Sequence, residues 1–109
     1  MKTLLLAICL FLISVTLALA GEVTLLWDPA DAGDLPAGYK IYQKVDTPTA
    51  TYTTGLDVGN VVTVTMKNLK SGTTYCWVAT AYDIEKTESE YSNQVCAKIR
   101  QGKPILHIK

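Results

Sequence analysis

The chain has 109 residues, with ten basic and ten acidic side chains and a formal net charge of zero. Hydrophobic residues make up 49% of the sequence, which places it among globular proteins and provides material for one small core. The balanced charge excludes the basic surface that nucleic acids or anionic membranes require.

The first twenty residues are typical of an export signal. Lys2 gives a short basic start, residues 4–18 are almost wholly apolar, and the Ala-Leu-Ala that ends at Ala20 matches the pattern cut by signal peptidase. We therefore expect residues 1–20 to be a signal peptide and the mature protein, periplasmic or secreted, to begin at Gly21. An uncleaved membrane anchor is the alternative, because an apolar run of this length is near the minimum that spans a bilayer.

Beyond residue 20, apolar and polar residues alternate with a period of two in several short runs, and polar or Gly-containing stretches separate them. Such alternation predicts half-buried strands, and no window has a helical period. We therefore predict an all-β antiparallel β-sandwich. The predicted strands are 22–27, 39–44, a weak edge strand within 46–60, 62–67, 75–82 and 92–100.

The inward-facing side chains of these strands should form one core, and burial of each larger one is worth about 2 kcal/mol. The strand at 75–82 alternates most strictly. Its outward set is Cys76, Val78, Thr80 and Tyr82. The predicted inward set is Val23, Leu25, Trp27, Tyr39, Ile41, Val62, Val64, Met66, Leu69, Tyr75, Trp77, Ala79, Ala81, Val95, Ala97 and Ile99.

Cysteine and histidine content argues against catalysis and metal binding. Two cysteines, Cys76 and Cys96, follow the signal, and an even count in an exported chain favours a disulfide over free thiols. A zinc site needs about four ligands, and the only histidine is His107, so we expect neither a metal nor a cofactor. The sequence also lacks a phosphate loop and a nucleophile–base motif, which predicts a protein that is not an enzyme.

Several motifs occur in an order and spacing that resemble a fibronectin type III domain, closest to the versions in exported bacterial proteins. They are LLW at 25–27 before a proline, GYKIY at 38–42, LKSGTTY at 69–75, TAYD at 80–83 and ESEYSNQV at 88–95. The resemblance covers residues 21–100 and leaves 101–109 as a tail.

The resemblance implies roles for particular residues. It makes Trp27 and Tyr39 core aromatics, and it places Leu69 and Tyr75 at a corner where the tyrosine hydroxyl bonds back to nearby backbone. Tyr75 is then structural. An immunoglobulin domain is the rival fold, but its inter-sheet cysteine would fall at the position of Trp77.

Cys76 and Cys96 are equidistant from Lys86, in the predicted hairpin tip at 84–88. They should therefore oppose one another on neighbouring strands, close enough for a bridge. We predict a cross-strand disulfide on the outer face.

The predicted domain departs from the family at its first strand. Cleavage after Ala20 would leave strand A largely missing, so the edge of the 22–27 strand would be uncovered and available for pairing. The tail alternates Ile105, His107 and Lys109 with apolar residues and could form a short strand, although a disordered tail is the simpler interpretation.

These features predict a non-catalytic binding or adhesion module outside the cytoplasm, with an unknown protein or carbohydrate partner and no membrane association after cleavage. Its expected contact face is formed by Tyr42, Val78 and Tyr82, which project beside the disulfide. The alternative for these three is that scattered exposed apolar residues are normal on protein surfaces. The alternative function is a structural subunit that self-associates weakly through the open edge or the tail.

Overall fold

The computed structural model describes residues 13–19, 21–28 and 36–100, and it is all-β in these ranges. Its strands form a three-stranded sheet in the order β1-β2-β5 and a four-stranded sheet in the order β4-β3-β6-β7, with every pairing antiparallel. The predicted sandwich is confirmed. The strands are β1 (Ile13–Leu19), β2 (Glu22–Trp27), β3 (Gly38–Val45), β4 (Gly55–Gly59), β5 (Thr63–Met66), β6 (Thr74–Tyr82) and β7 (Val95–Lys98).

The core lies between the two sheets, and every residue of the predicted inward set lies in it or packs against it. Its centre is aromatic: Trp77 is fully buried, and the rings of Trp27 and Tyr39 meet with centroids 5.5 Å apart. The core also includes Ile13, with Val58 packed against it, and the sequence pattern identified neither. The period-two alternation therefore predicted the buried face well.

The three-stranded sheet has an edge strand that we expected to be largely missing. β1 pairs with β2 from Ile13, opposite Trp27, to Leu19, opposite Glu22, and the Ile13 side chain is 2% exposed. The predictions of a missing strand A and an open β2 edge concern the chain cut after Ala20 and stay predictions; in the full chain, β1 takes the place of strand A and covers that edge. The physical reason is that the sequence ISVTLAL is apolar and rich in β-branched residues, so it suits a strand as well as a signal.

Several predictions fall outside the described residues. They concern the apolar start at 1–12, the loop at 29–35 and the tail at 101–109. Among the residues that are described, no helix is long and apolar enough to cross a membrane.

The corner before β6 has the predicted tyrosine bond. The Tyr75 hydroxyl accepts a hydrogen bond from the Lys70 N–H at 3.0 Å, while the buried Leu69 donates its N–H to the Gly21 carbonyl at 3.0 Å. Gly72 completes the turn with a φ of 81°, a conformation that favours glycine. These bonds connect the two sheets at this end of the sandwich.

The predicted disulfide joins β6 to β7. Cys76 and Cys96 are directly opposed in the ladder, and their sulfurs are 2.05 Å apart. The bond lies on the outer face, because the neighbouring pair, Trp77 and Val95, packs in the core. The Asp46 carboxylate lies within 4.8 Å of both sulfurs, but the disulfide leaves no thiolate there to bind a metal.

We expect the double variant Cys76→Ser/Cys96→Ser to lower the free energy of unfolding by about 3 kcal/mol, because the bond closes a loop with a sequence separation of 20 residues. Urea unfolding without reductant measures this difference. Thiol titration of the denatured, unreduced full chain should find only Cys9. Titration of all three cysteines would contradict the disulfide.

We expect Tyr75→Phe to lower the free energy of unfolding by about 1 kcal/mol, because the Lys70 N–H loses its side-chain partner. Tyr91→Phe is the matched control, since the Tyr91 hydroxyl makes no hydrogen bond with the described residues and its side chain is exposed. Equal stability of the two variants would show that the corner bond contributes nothing.

Candidate binding surface

The outer face of the four-stranded sheet is more enclosed than its sequence suggests. Tyr42, Val78 and Tyr82 project away from the core, as alternation along β3 and β6 requires. However, Val78 is only 3% exposed and Tyr82 only 5%, so the prediction that they are exposed is wrong. β6 is a central strand, paired with β3 on one side and with β7 on the other, and its outward side chains are enclosed by contacts with adjacent elements.

Tyr82 shows how this covering works. Its ring lies over Gly38, the residue directly opposite in β3, where a Cβ would collide with the ring and hydroxyl. The hydroxyl donates to Asp57 Oδ1 at 2.7 Å, and Lys86 Nζ lies 4.6 Å from the ring centroid. The hydrogen bond from Tyr82, with one from the Gly59 N–H, lowers the pKa of the Asp57 carboxyl. Tyr82 therefore ties β6 to β4.

Glu88 is the centre of a polar network on the same face. Its Oε1 accepts hydrogen bonds from the Tyr42 hydroxyl at 2.5 Å and the Thr80 hydroxyl at 2.8 Å. Its Oε2 forms an ion pair with Lys40 Nζ at 3.3 Å. Burial alone would raise the pKa of Glu88, but the hydrogen bonds from Tyr42, Thr80 and Lys40 outweigh it and hold that pKa below its ordinary value. Glu88 is thus an ionised anchor that joins β3 and β6.

The segment after β6 returns along the strand through two serines. Ser89 donates its N–H to the Ala81 carbonyl and accepts the Ala81 N–H on its hydroxyl, at 2.8 and 2.9 Å. Ser92 makes the equivalent pair of bonds with Ala79, at 2.8 and 2.9 Å. Each serine therefore bonds to both backbone groups, the N–H and the carbonyl, of one β6 residue. The chain between the two serines includes Tyr91 and projects outward.

Tyr91 meets two other tyrosines on this outer surface, and we call Tyr42, Tyr52 and Tyr91 the tyrosine cluster. The ring centroid of Tyr91 lies 5.3 Å from that of Tyr42 and 5.7 Å from that of Tyr52. Tyr91 is 47% exposed, and the other two are half-buried. Gly55 makes room beside Tyr42, because a Cβ there would lie 2.7 Å from that ring.

Polar groups fix the orientation of the tyrosine cluster. The Tyr52 hydroxyl donates to Gln94 Oε1 at 2.5 Å, and Lys44 Nζ lies 5.3 Å from the Tyr52 ring centroid. Burial, together with Tyr91 and Asp46, raises the pKa of Tyr52 to about 12. The three rings come from β3, from the segment before β4 and from the segment before β7. The result is an oriented aromatic surface with charged and hydroxyl groups at its margin.

Burial also raises the pKa of Tyr42 to about 12, with a further contribution from the hydrogen bond and charge of Glu88. The phenols of Tyr42 and Tyr52 therefore remain neutral at physiological pH and act as hydrogen-bond donors. Their single O–H groups donate to Glu88 and Gln94. The rings can therefore pack against apolar groups of a partner, while the Tyr91 hydroxyl can donate to a polar one. We assign no nucleophile or general base to this surface.

Only one member of the tyrosine cluster was among the predicted contact residues. Tyr42 was predicted, whereas Tyr52 and Tyr91 were missed because each lies in an irregular segment without periodicity. A signal for Tyr91 was present in the sequence: it stands between Ser89 and Ser92, the two residues that bond to β6. For Tyr52, the only available signal was that it is the single bulky residue of its loop.

Comparisons with known proteins establish the fold. No protein-family model matches the sequence, and no curated protein matches it either. Among solved structures, the third fibronectin type III domain of the human KIAA0343 protein matches with a TM-score of 0.69 and 14% identity, over 88% of this chain and 84% of that chain. A myokine matches with a TM-score of 0.65 and 21% identity, over 82% of this chain and 93% of that chain.

A bacterial enzyme contains a similar domain. A β-1,2-glucanase from Parabacteroides distasonis matches with a TM-score of 0.65 and 20% identity, over 87% of this chain but only 13% of the enzyme. These identities are low, so the matches bear on architecture alone. The chain has a fibronectin type III-like fold.

The network around Glu88 predicts a pH dependence of stability. Because its pKa is lower in the folded state than the ordinary 4.5, the unfolded chain binds the proton more readily. The stability that Glu88 contributes is therefore complete above about pH 4.5 and is lost as the pH falls towards the folded-state pKa. Urea unfolding between about pH 7 and pH 3 should show that wild type loses more stability on acidification than Glu88→Gln.

Glu90→Gln is the matched control, because it removes a carboxylate from the same segment at an exposed position outside the network. If Glu88→Gln and Glu90→Gln had the same pH profile, the hydrogen bonds to Glu88 would not contribute to folding.

Proposed function

We propose that this chain is a non-catalytic binding or adhesion module that functions outside the cytoplasm through a single fibronectin type III-like domain. Domains of this fold are commonly binding or adhesion modules and are generally non-catalytic. Export is supported by the signal-like residues 1–20 and by the disulfide between Cys76 and Cys96, since such bonds persist in oxidising compartments. The site of action is then the periplasm or the extracellular medium.

The observation that carries this proposal is the tyrosine cluster. Its rings come from three separate segments and gather on one accessible surface, where Tyr91 is the most exposed. Tyrosine supplies a large contact area with few rotatable bonds, which is why it is enriched at protein interfaces. Hydrogen bonds to Glu88 and Gln94 hold two of the hydroxyls in place, so little side-chain entropy remains to be lost on binding.

The surface fits a partner that presents an apolar patch with hydrogen-bond acceptors beside it. The partner is a protein or a glycan, since both offer C–H groups that pack on a tyrosine ring and oxygen atoms that accept from the Tyr91 hydroxyl. Lys44, beside Tyr52, adds a positive charge at the margin. The nearly neutral chain does not favour a polyanion as partner.

We expect the double variant Tyr52→Ser/Tyr91→Ser to lose at least tenfold in capture of the partner, because truncation of central aromatic residues in an interface has large effects. The measurement is affinity capture from envelope extract or culture fluid of the native host, followed by mass spectrometry and by glycan staining. Tyr42 is left intact in this variant because it also supports Glu88.

Val61→Ser is the matched control, since Val61 is an exposed apolar residue in the segment between β4 and β5. Thermal unfolding should show that all variants remain folded. Unchanged capture by the tyrosine double variant would exclude this surface. Digestion of the extract with a protease, or alternatively with glycosidases, identifies which class of partner is bound.

A further inference from the structure

The edge of β2 is built to hold an extended strand, and β1 shows how the strand is held. β1 runs antiparallel to β2 along its whole length, with Ile13 opposite Trp27 and Leu19 opposite Glu22. The register shifts once, between Val15 and Leu17. Pairing of this kind depends on backbone groups, so it constrains the direction and register of the bound strand more than its sequence.

Asn93 fixes one end of this strand from the opposite sheet. Its Oδ1 accepts the Ile13 N–H at 2.9 Å, and its Nδ2 donates to the Ile13 carbonyl at 3.1 Å. Because both bonds go to backbone groups, the Asn93 amide can bind the N–H and carbonyl of any residue at this position. Because Asn93 follows directly after Ser92, which is bonded to β6, its position is fixed independently of β1.

Ile13 also supplies a side chain to the core. It is 2% exposed and lies in the cluster that includes Leu25, Trp27 and Ile99. Without it, the core would be left with a cavity or exposed to water, which destabilises a small domain. A strand bound at the β2 edge therefore needs an aliphatic side chain at the position of Ile13.

The sequence places the predicted cleavage site directly after this strand. Cleavage after Ala20 would remove all of β1. Among the described residues, the processed domain would then have no strand in the place of β1, no partner for the Asn93 amide and no side chain at the position of Ile13. Unpaired sheet edges tend to bind another strand.

We propose that, after removal of residues 1–20, the β2 edge binds an extended strand of a partner protein in the place of β1. The bound strand runs antiparallel to β2, inserts an aliphatic side chain where Ile13 lies, and is held by the Asn93 amide. This inference rests on the export proposed above and on the predicted cleavage after Ala20, and it is independent of the tyrosine cluster.

A second copy of the domain does not fit this site through its own β2. The inward side chains of β2, Val23, Leu25 and Trp27, are buried in their own core. Pairing of β2 with β2 would therefore leave the place of Ile13 unfilled. An extended segment whose side chains are not already buried in a core can both pair with β2 and fill the place of Ile13.

The test uses the full chain with a protease recognition sequence inserted between Ala20 and Gly21, purified in the folded state and then cut. The probe is a fluorescent synthetic peptide of residues 12–20, LISVTLALA. We expect the cut protein to exchange its own segment for the peptide, and the uncut protein to take up none. A peptide with aspartate at the position of Ile13 should fail to bind.

Asn93→Ala tests recognition of the backbone. In the cut protein, loss of its two hydrogen bonds should weaken peptide binding about tenfold. Gln94→Ala is the matched control, because it removes an adjacent amide that bonds to Tyr52 and not to β1; it should bind the peptide as wild type does.

Four results would overturn the inference: no uptake of the peptide by the cut protein, unchanged binding in Asn93→Ala, dimers of the cut protein that exclude the peptide in sedimentation, or an exported protein whose intact mass begins at Met1. The first three would leave the proposed binding function intact, because capture through the tyrosine cluster is measured separately. The fourth would contradict the cleavage on which the inference rests.

Discussion

Strand β6 is buried on both faces, and the arrangement of the whole domain depends on that burial. One face carries Trp77, Ala79 and Ala81 into the core. On the other face, Thr80 bonds to Glu88 and the Tyr82 ring packs over Gly38 of β3. A strand enclosed in this way has a fixed register, because a shift by one residue would exchange its two faces. The strands on either side are positioned by it.

The segment after β6 connects this central strand to both candidate sites. Ser89 and Ser92 satisfy the backbone of Ala81 and Ala79 with main-chain and side-chain groups together. Tyr91, between the two serines, joins the tyrosine cluster, and the next residue after them, Asn93, bonds to β1. One irregular stretch of a few residues thus places the exposed ring of the tyrosine cluster on the outer face and the Asn93 amide against the end of β1.

The sequence allowed prediction of the core and the disulfide because each depends on local spacing, while the tyrosine corner followed from the resemblance to a fibronectin type III domain. Alternation identifies the inward face, and opposed positions in a hairpin identify Cys76 and Cys96. The burial of Val78 and Tyr82 was missed because it depends on neighbours distant in sequence, such as Gly38. The same reason applies to Tyr52 and Tyr91, whose proximity follows from tertiary structure alone.

The role of β1 was missed because signal peptides and buried strands require the same residue type. The sequence ISVTLAL is apolar enough for export and β-branched enough for a sheet.

The two sheets of the sandwich are also stabilised unequally. The disulfide clamps the four-stranded sheet, whereas β1 is held to the rest by its pairing with β2, by Ile13 and by Asn93. Loss of β1 therefore weakens the three-stranded sheet selectively, and a strand bound in its place would restore pairing, core and clamp together.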